Sequence, residues 1–223
     1  MIWFWLRQEE TLPKEKRIKF SLHLFIDGTK EFFKYKEAVA FTFVSGFITG
    51  SFMVYLSTSQ QIFQEQYDLA ELFPYIFASL AISVGFATYL NSRLVERFGM
   101  WNMAYVAAIA YSIVSILYVV LFHSGKNPDI LILLSFFALQ FFAVGFLFGN
   151  LRAIAMQPLG HIAGIGAAIN GFISTVLAVP IANYIGSFVS TSVLPLFIGF
   201  SIFGLLSVSV FLMMKKHLNT SIS

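Results

Sequence analysis

Six stretches of this chain, each 18 to 23 residues long, contain no charged side chain: Ala38 to Ser57, Phe73 to Leu90, Met103 to Phe122, Ile130 to Phe148, Ala163 to Ile185 and Val193 to Met213. An α-helix rises about 1.5 Å per residue, so roughly 20 residues cross the hydrocarbon layer of a bilayer. Each stretch therefore predicts one membrane-spanning helix, and residues 38–214 form one six-span, all-α bundle. Residues 1–37 precede it and residues 215–223 form a short polar tail. Within residues 7–37, Ile18, Leu22 and Phe25 share one helical face before Asp27 and Gly28 interrupt it, which suggests a short helix on the membrane surface or a plain connector. Residues 1–6, Met-Ile-Trp-Phe-Trp-Leu, are too few to cross a bilayer and read as an interfacial foot or the last turns of a preceding helix. No basic region precedes them and no small-residue cleavage site follows, so a secretory signal is not expected there.

Charge fixes the expected orientation. Lys and Arg number 8 in residues 1–37, 2 between the second and third stretches, 1 between the fourth and fifth, and 2 after the sixth. The other gaps hold only Lys126. Because short cytoplasmic loops collect cations, both termini are expected in the cytoplasm, with the Gln60, Lys126 and Ser187 loops outside. The net charge of +3 follows from this topology, and no basic stripe interleaved with aromatics suggests nucleic acid. Hydrophobic residues make up 58% of the chain and charged ones 11%, far below the ~25% of soluble domains, which excludes a soluble fold. The absence of cysteine removes disulfides, thiolate catalysis and cysteine metal sites.

Two short runs carry more specific information. Ser92-Arg-Leu-Val-Glu-Arg-Phe-Gly99 connects the second and third stretches. Gly99 can take the positive φ of a tight reversal, Arg97 can bond helix-end carbonyls or a carboxylate, and Glu96 can favour a helix N-terminus. Such a loop can latch neighbouring helices in one conformational state, or serve only as a positively charged turn. The second run is Met156-Gln-Pro-Leu-Gly-His-Ile-Ala-Gly164. Pro158 and Gly160 punctuate the chain there, and Ala163, Ala167, Gly171, Ala178 and Ala182 begin a small-residue stripe along which another helix can approach. Pro180 removes a backbone donor from that helix.

The first run resembles the cytoplasmic loop motif of the major facilitator superfamily, an acidic residue followed by Arg, any residue and Gly. Glu96, Arg97 and Gly99 match it, whereas Ser92 replaces its leading Gly and Met100 its following basic residue. The second run, with Pro158, Gly160, His161 and the Ala163-Gly164 pair, is similar to the corresponding segment of drug-efflux transporters of the bicyclomycin and chloramphenicol resistance type in that superfamily. In order, the six stretches resemble the seventh to twelfth helices of a twelve-helix transporter, and Trp3-Phe4-Trp5-Leu6-Arg7 with Glu10-Thr11-Leu12 resembles the end of the sixth helix and the start of the central linker. The resemblance implies a bacterial inner-membrane half-transporter that works with a missing N-terminal bundle, or as a homodimer, on a small-molecule substrate.

On the first stretch Thr42, Ser45 and Thr49 share one face beside the Gly46 and Gly50 pair. A polar face in hydrocarbon turns toward protein or a wet cavity, or bonds its own helix backbone. Since the family places the first helix of each triple in its central cavity, the resemblance nominates Thr42, Ser45, Thr49 and Tyr55, with Phe137 and Gln140 from the fourth stretch. Asn170 and Ser174 can face the partner bundle or bond between helices. His161 is either a proton sensor or a structural interfacial histidine. No Asp or Glu lies in any stretch, so the usual intramembrane proton carrier has no candidate here. No carboxylate pair, metal-ligand spacing or phosphate-binding loop supports an enzyme, and no cofactor is expected. A transport-inactive membrane fragment and a six-span assembly subunit are the other readings that the residues leave open.

Overall fold

The computed structural model describes Arg7 and residues 22–222, and among these every regular element is a helix. A short helix α1 (Leu22–Phe32) precedes six long ones: α2 (Lys36–Gln60), α3 (Phe73–Phe98), α4 (Met100–Leu121), α5 (Ile130–Met156), α6 (Ala163–Gly186) and α7 (Leu194–Ile222). The Trp3 to Leu6 run, the Glu10 to Leu12 segment and Ile18 lie outside the described residues.

Among the described residues, five uninterrupted helical stretches, rather than six, are long and apolar enough to cross a membrane. The difference arises because α5 and α6 join through a 3-10 turn, Gln157–Ile162, into one run of 57 residues. Pro158 has no amide hydrogen, and Leu159 leaves helical geometry at φ −105°, so the chain changes direction while staying locally helical.

The helices also run further than the charge-free stretches do. The Ser92 to Gly99 segment is not a loop: α3 continues through Phe98, and Gly99 alone separates it from α4. Gly99 has φ +78°, which a side chain would strain. Likewise α2 passes Gln60 into a π-helical turn, Gln61–Gln66, before the chain reverses. In α1 the helix passes through Asp27 and Gly28. Gly28 marks a close approach there, because a Cβ on it would fall 2.8 Å from the Ile165 side chain of α6.

Helix α2 is central. It packs most extensively on α6 and also lies against α5 and α7; α4 sits between α5 and α7, and α3 covers α5 from outside. The α2–α6 contact is close because α2 supplies glycines. A Cβ at Gly46 would meet Leu177 at 2.9 Å, and one at Gly50 would lie 3.1 Å from the Ala178 backbone. Of the small stripe on α6, Ala178 and Ala182 are buried, whereas Ala163 and Ala167 are open and Gly171 has space around it. α6 stays helical through Pro180.

α3 is the most outward helix, with Tyr75, Ile82 and Phe86 exposed, as apolar side chains facing hydrocarbon would be. A second small core of Phe32, Ala38, Leu159 and Ile169 docks α1 beside the 3-10 turn. At the opposite end of the bundle the connections are bonded to one another. Asn127 Nδ2 donates to Gln66 Oε1 (2.9 Å), Asn127 Oδ1 accepts from the Val193 amide (2.9 Å), and the Tyr67 hydroxyl donates to Pro128 O (2.8 Å). Burial, and then the nearby Asp129 carboxylate, push the Tyr67 hydroxyl up to about 12, so it remains a proton donor at any physiological pH.

Candidate functional site: a polar pocket between three helices

The polar face of α2 opens on a cavity of about 300 Å³ lined by Ser45 and Thr49 of α2, Phe148, Leu151 and Arg152 of α5, and Asn170 and Ser174 of α6. The three helices meet there because the glycines of α2 bring α6 close while α5 crosses the other flank. Thr42 forms the floor of the polar face. It is fully buried and accepts from Asn170 Nδ2 at 2.7 Å, and its carbonyl accepts from the Ser174 hydroxyl at 3.3 Å. Ser45 donates to its own helix at Phe41 O, 2.8 Å. Thr49 Oγ1 makes no hydrogen bond among the described residues and is free to meet a guest.

Three nominated residues lie elsewhere. Tyr55, Phe137 and Gln140 are enclosed, the last two with no exposed surface. Tyr55 packs edge-on against Phe141 (4.5 Å between centroids) and tilted against Phe137 (5.1 Å), inside an aromatic block that continues through Phe197 to Tyr118. Phe52 separates this block from the pocket, since its ring meets both Phe141 (5.3 Å) and Phe148 (5.5 Å). Gln140 is buried among different neighbours. It sits with Ser51 beside the Tyr111 hydroxyl of α4. Its two amide atoms and the Tyr55 and Tyr111 hydroxyls are buried without a hydrogen-bond partner among the described residues, a costly arrangement for polar groups. Phe137 and Gln140, one turn apart on α5, are both enclosed in the packed interior and do not line the pocket.

Arg152 was counted only among topology-setting cations, yet it lines the pocket. The available signal was its spacing: it follows Phe148 by four residues, so the two share a face of α5. Asn91 and Asn150 were missed as well. Asn150 Nδ2 donates to Asn91 Oδ1 at 2.7 Å and ties α5 to α3.

The motif residues lie at two helix junctions. Glu96 and Arg97 lie exposed in the last turn of α3, and the Arg97 guanidinium rests over the Phe98 ring at 5.3 Å instead of on a carboxylate or a helix-end carbonyl. The helix runs on past Arg97, so the ring one residue along is its nearest partner. Pro158, Gly160 and His161 form the 3-10 turn, and Gly164 opens α6 with free space around it. His161 Nε2 pairs with Glu31 Oε1 at 2.7 Å, and its ring meets Tyr35 edge-on, so it ties the turn to α1. No group of His, Asp and Glu with metal-holding geometry occurs among the described residues.

Comparison with known proteins agrees with a membrane carrier. The family profile of the Major Facilitator Superfamily matches residues 1–180. An uncharacterised MFS-type transporter, YdgK of Bacillus subtilis, is 26% identical over 195 residues, 84% of this chain and 46% of that protein. A bicyclomycin resistance protein homolog of Haemophilus influenzae is 27% identical over 99 residues, 44% of this chain and 25% of that protein. The matched part is thus less than half the length of either relative. No solved structure matches the chain.

Proposed function

The chain belongs to the major facilitator superfamily, and on that premise we propose that it forms one bundle, the C-terminal six of twelve helices, of a transporter that moves small molecules by alternating access. In this reading α2 to α7 each cross the bacterial cytoplasmic membrane, with both termini inside, as the cation distribution suggests. The 3-10 turn then stands for the second cytoplasmic reversal. The observation that carries the proposal is the polar pocket. An otherwise apolar bundle gathers Ser45, Thr49, Arg152, Asn170 and Ser174 around one cavity, between α6 and the two helices, α2 and α5, that family resemblance assigns to the central site. An N-terminal bundle facing that side would close the pocket into a substrate chamber, and rocking of the two bundles would expose it alternately.

Efflux of small organic drugs is the substrate class suggested by the Pro158 to Gly164 run and by a relative named for bicyclomycin resistance. The bundle contains no acidic residue in its charge-free stretches, so a proton carrier would come from the other bundle. Expression of this chain by itself in a drug-hypersensitive host should leave resistance unchanged, and co-expression with a matching six-helix N-terminal half should raise it. Energy-dependent export by the purified chain in liposomes would instead favour a self-sufficient homodimer.

A further inference from the structure

We propose that the pocket selects substrates bearing an anionic group, a carboxylate or a sulfonate, with Arg152 as the residue that binds it. The inference rests on the transporter reading for its biological meaning but on the pocket alone for its chemistry. Arg152 lies within the last turns of α5, which ends at Met156, and its side chain borders the cavity. No carboxylate lines that cavity, and among the described residues Arg152 forms neither an ion pair nor a hydrogen bond. A guanidinium offers five N–H donors in a planar fork that matches the two oxygens of a carboxylate or sulfonate.

The surrounding polar groups leave the recognition to it. The Ser45 hydroxyl is committed to Phe41 O, the Ser174 hydroxyl to Thr42 O, and one Asn170 N–H to Thr42 Oγ1. Thr49 supplies a further hydroxyl, and Phe148 and Leu151 supply an apolar wall for the body of the guest. The site therefore suits an amphiphile with one acidic group and a ring-sized apolar portion. Arg152 is exposed near the end of α5, and it borders the cavity together with four neutral polar side chains, Ser45, Thr49, Asn170 and Ser174.

The test uses two probes with the same ring system. 8-Anilinonaphthalene-1-sulfonate carries the anion, and N-phenyl-1-naphthylamine lacks it. Each is titrated by fluorescence into the full chain in nanodiscs of neutral lipid, against empty discs. The sulfonate should bind more tightly than the neutral probe, and Arg152→Gln should weaken it by roughly tenfold or more, the size of a lost charge-assisted contact. Arg152→Lys should keep most of the affinity, and the neutral probe should be unaffected by either change. In the unaltered chain, salt should weaken the sulfonate alone, which keeps the test decisive if Arg152→Gln folds poorly. Sulfonate affinity that is indifferent to both Arg152 and salt, with both probes still binding, would overturn the anion assignment while leaving the transporter reading intact. Failure of both probes to bind the unaltered chain would overturn the pocket itself.

Discussion

The two halves of the α2–α5 pair differ sharply. Toward the 3-10 turn, Ser45, Thr49, Phe148 and Arg152 surround open space; Ser45 bonds its own helix at Phe41 O, and Thr49 and Arg152 form no hydrogen bond among the described residues. Toward the Asn127 connection, the same two helices bury Tyr55, Phe137 and Phe141 in a closed aromatic block whose rings stand 4.5 to 5.6 Å apart. One region is built for stability and the other leaves room for a guest. A single helix can hold both roles because the roles are separated along its axis, with the Phe52 ring at the boundary.

Substitutions in the block should therefore unfold the bundle where those in the pocket do not. The largest effect is expected from Phe137→Ala, which removes a fully buried ring and should cost about 3–5 kcal/mol, read as a lower thermal midpoint in detergent. Gly50→Val comes next. Its side chain would press on the Ala178 backbone and Ile181, and overpacking of this kind costs about 1–3 kcal/mol. Gly149→Ala, where nothing lies within 4 Å, should not lower the midpoint. Asn127→Ala should cost about 1–2 kcal/mol by leaving Gln66 Oε1 and the Val193 amide without their Asn127 partner. The smallest shifts, within about 0.5 kcal/mol, are expected for Ser45→Ala and Thr49→Ala at the pocket. If these two proved as damaging as Phe137→Ala, the division of labour would collapse.

The helices themselves were legible in the sequence because absence of charge over some 20 residues has few other causes in so apolar a chain. Their ends were not. Up to Gly99, and on through Gln157, the backbone stays helical through charged and polar residues, so a boundary drawn from apolarity stops several residues short. The polar face of α2 was legible from the spacing of Thr42, Ser45 and Thr49, as was the close approach promised by Gly46 and Gly50. The enclosure of Phe137 and Gln140 was not, since helical spacing shows which residues share a face and not what covers it. Arg152 hid behind a second sufficient explanation, the orientation of the bundle. The pairing of His161 with Glu31 joins residues far apart in the chain, and neither local pattern points to the other.

Because the chain has no cysteine, one labelling series tests the central claim directly. Ser45→Cys, Thr49→Cys and Phe137→Cys are introduced singly and treated with a small, water-soluble methanethiosulfonate reagent in membranes that also contain the matching N-terminal half. The two pocket positions should react, and substrate should protect them, while the position in the aromatic block stays unmodified until the protein is unfolded. Ready modification at Phe137→Cys with none at Ser45→Cys or Thr49→Cys would contradict the account.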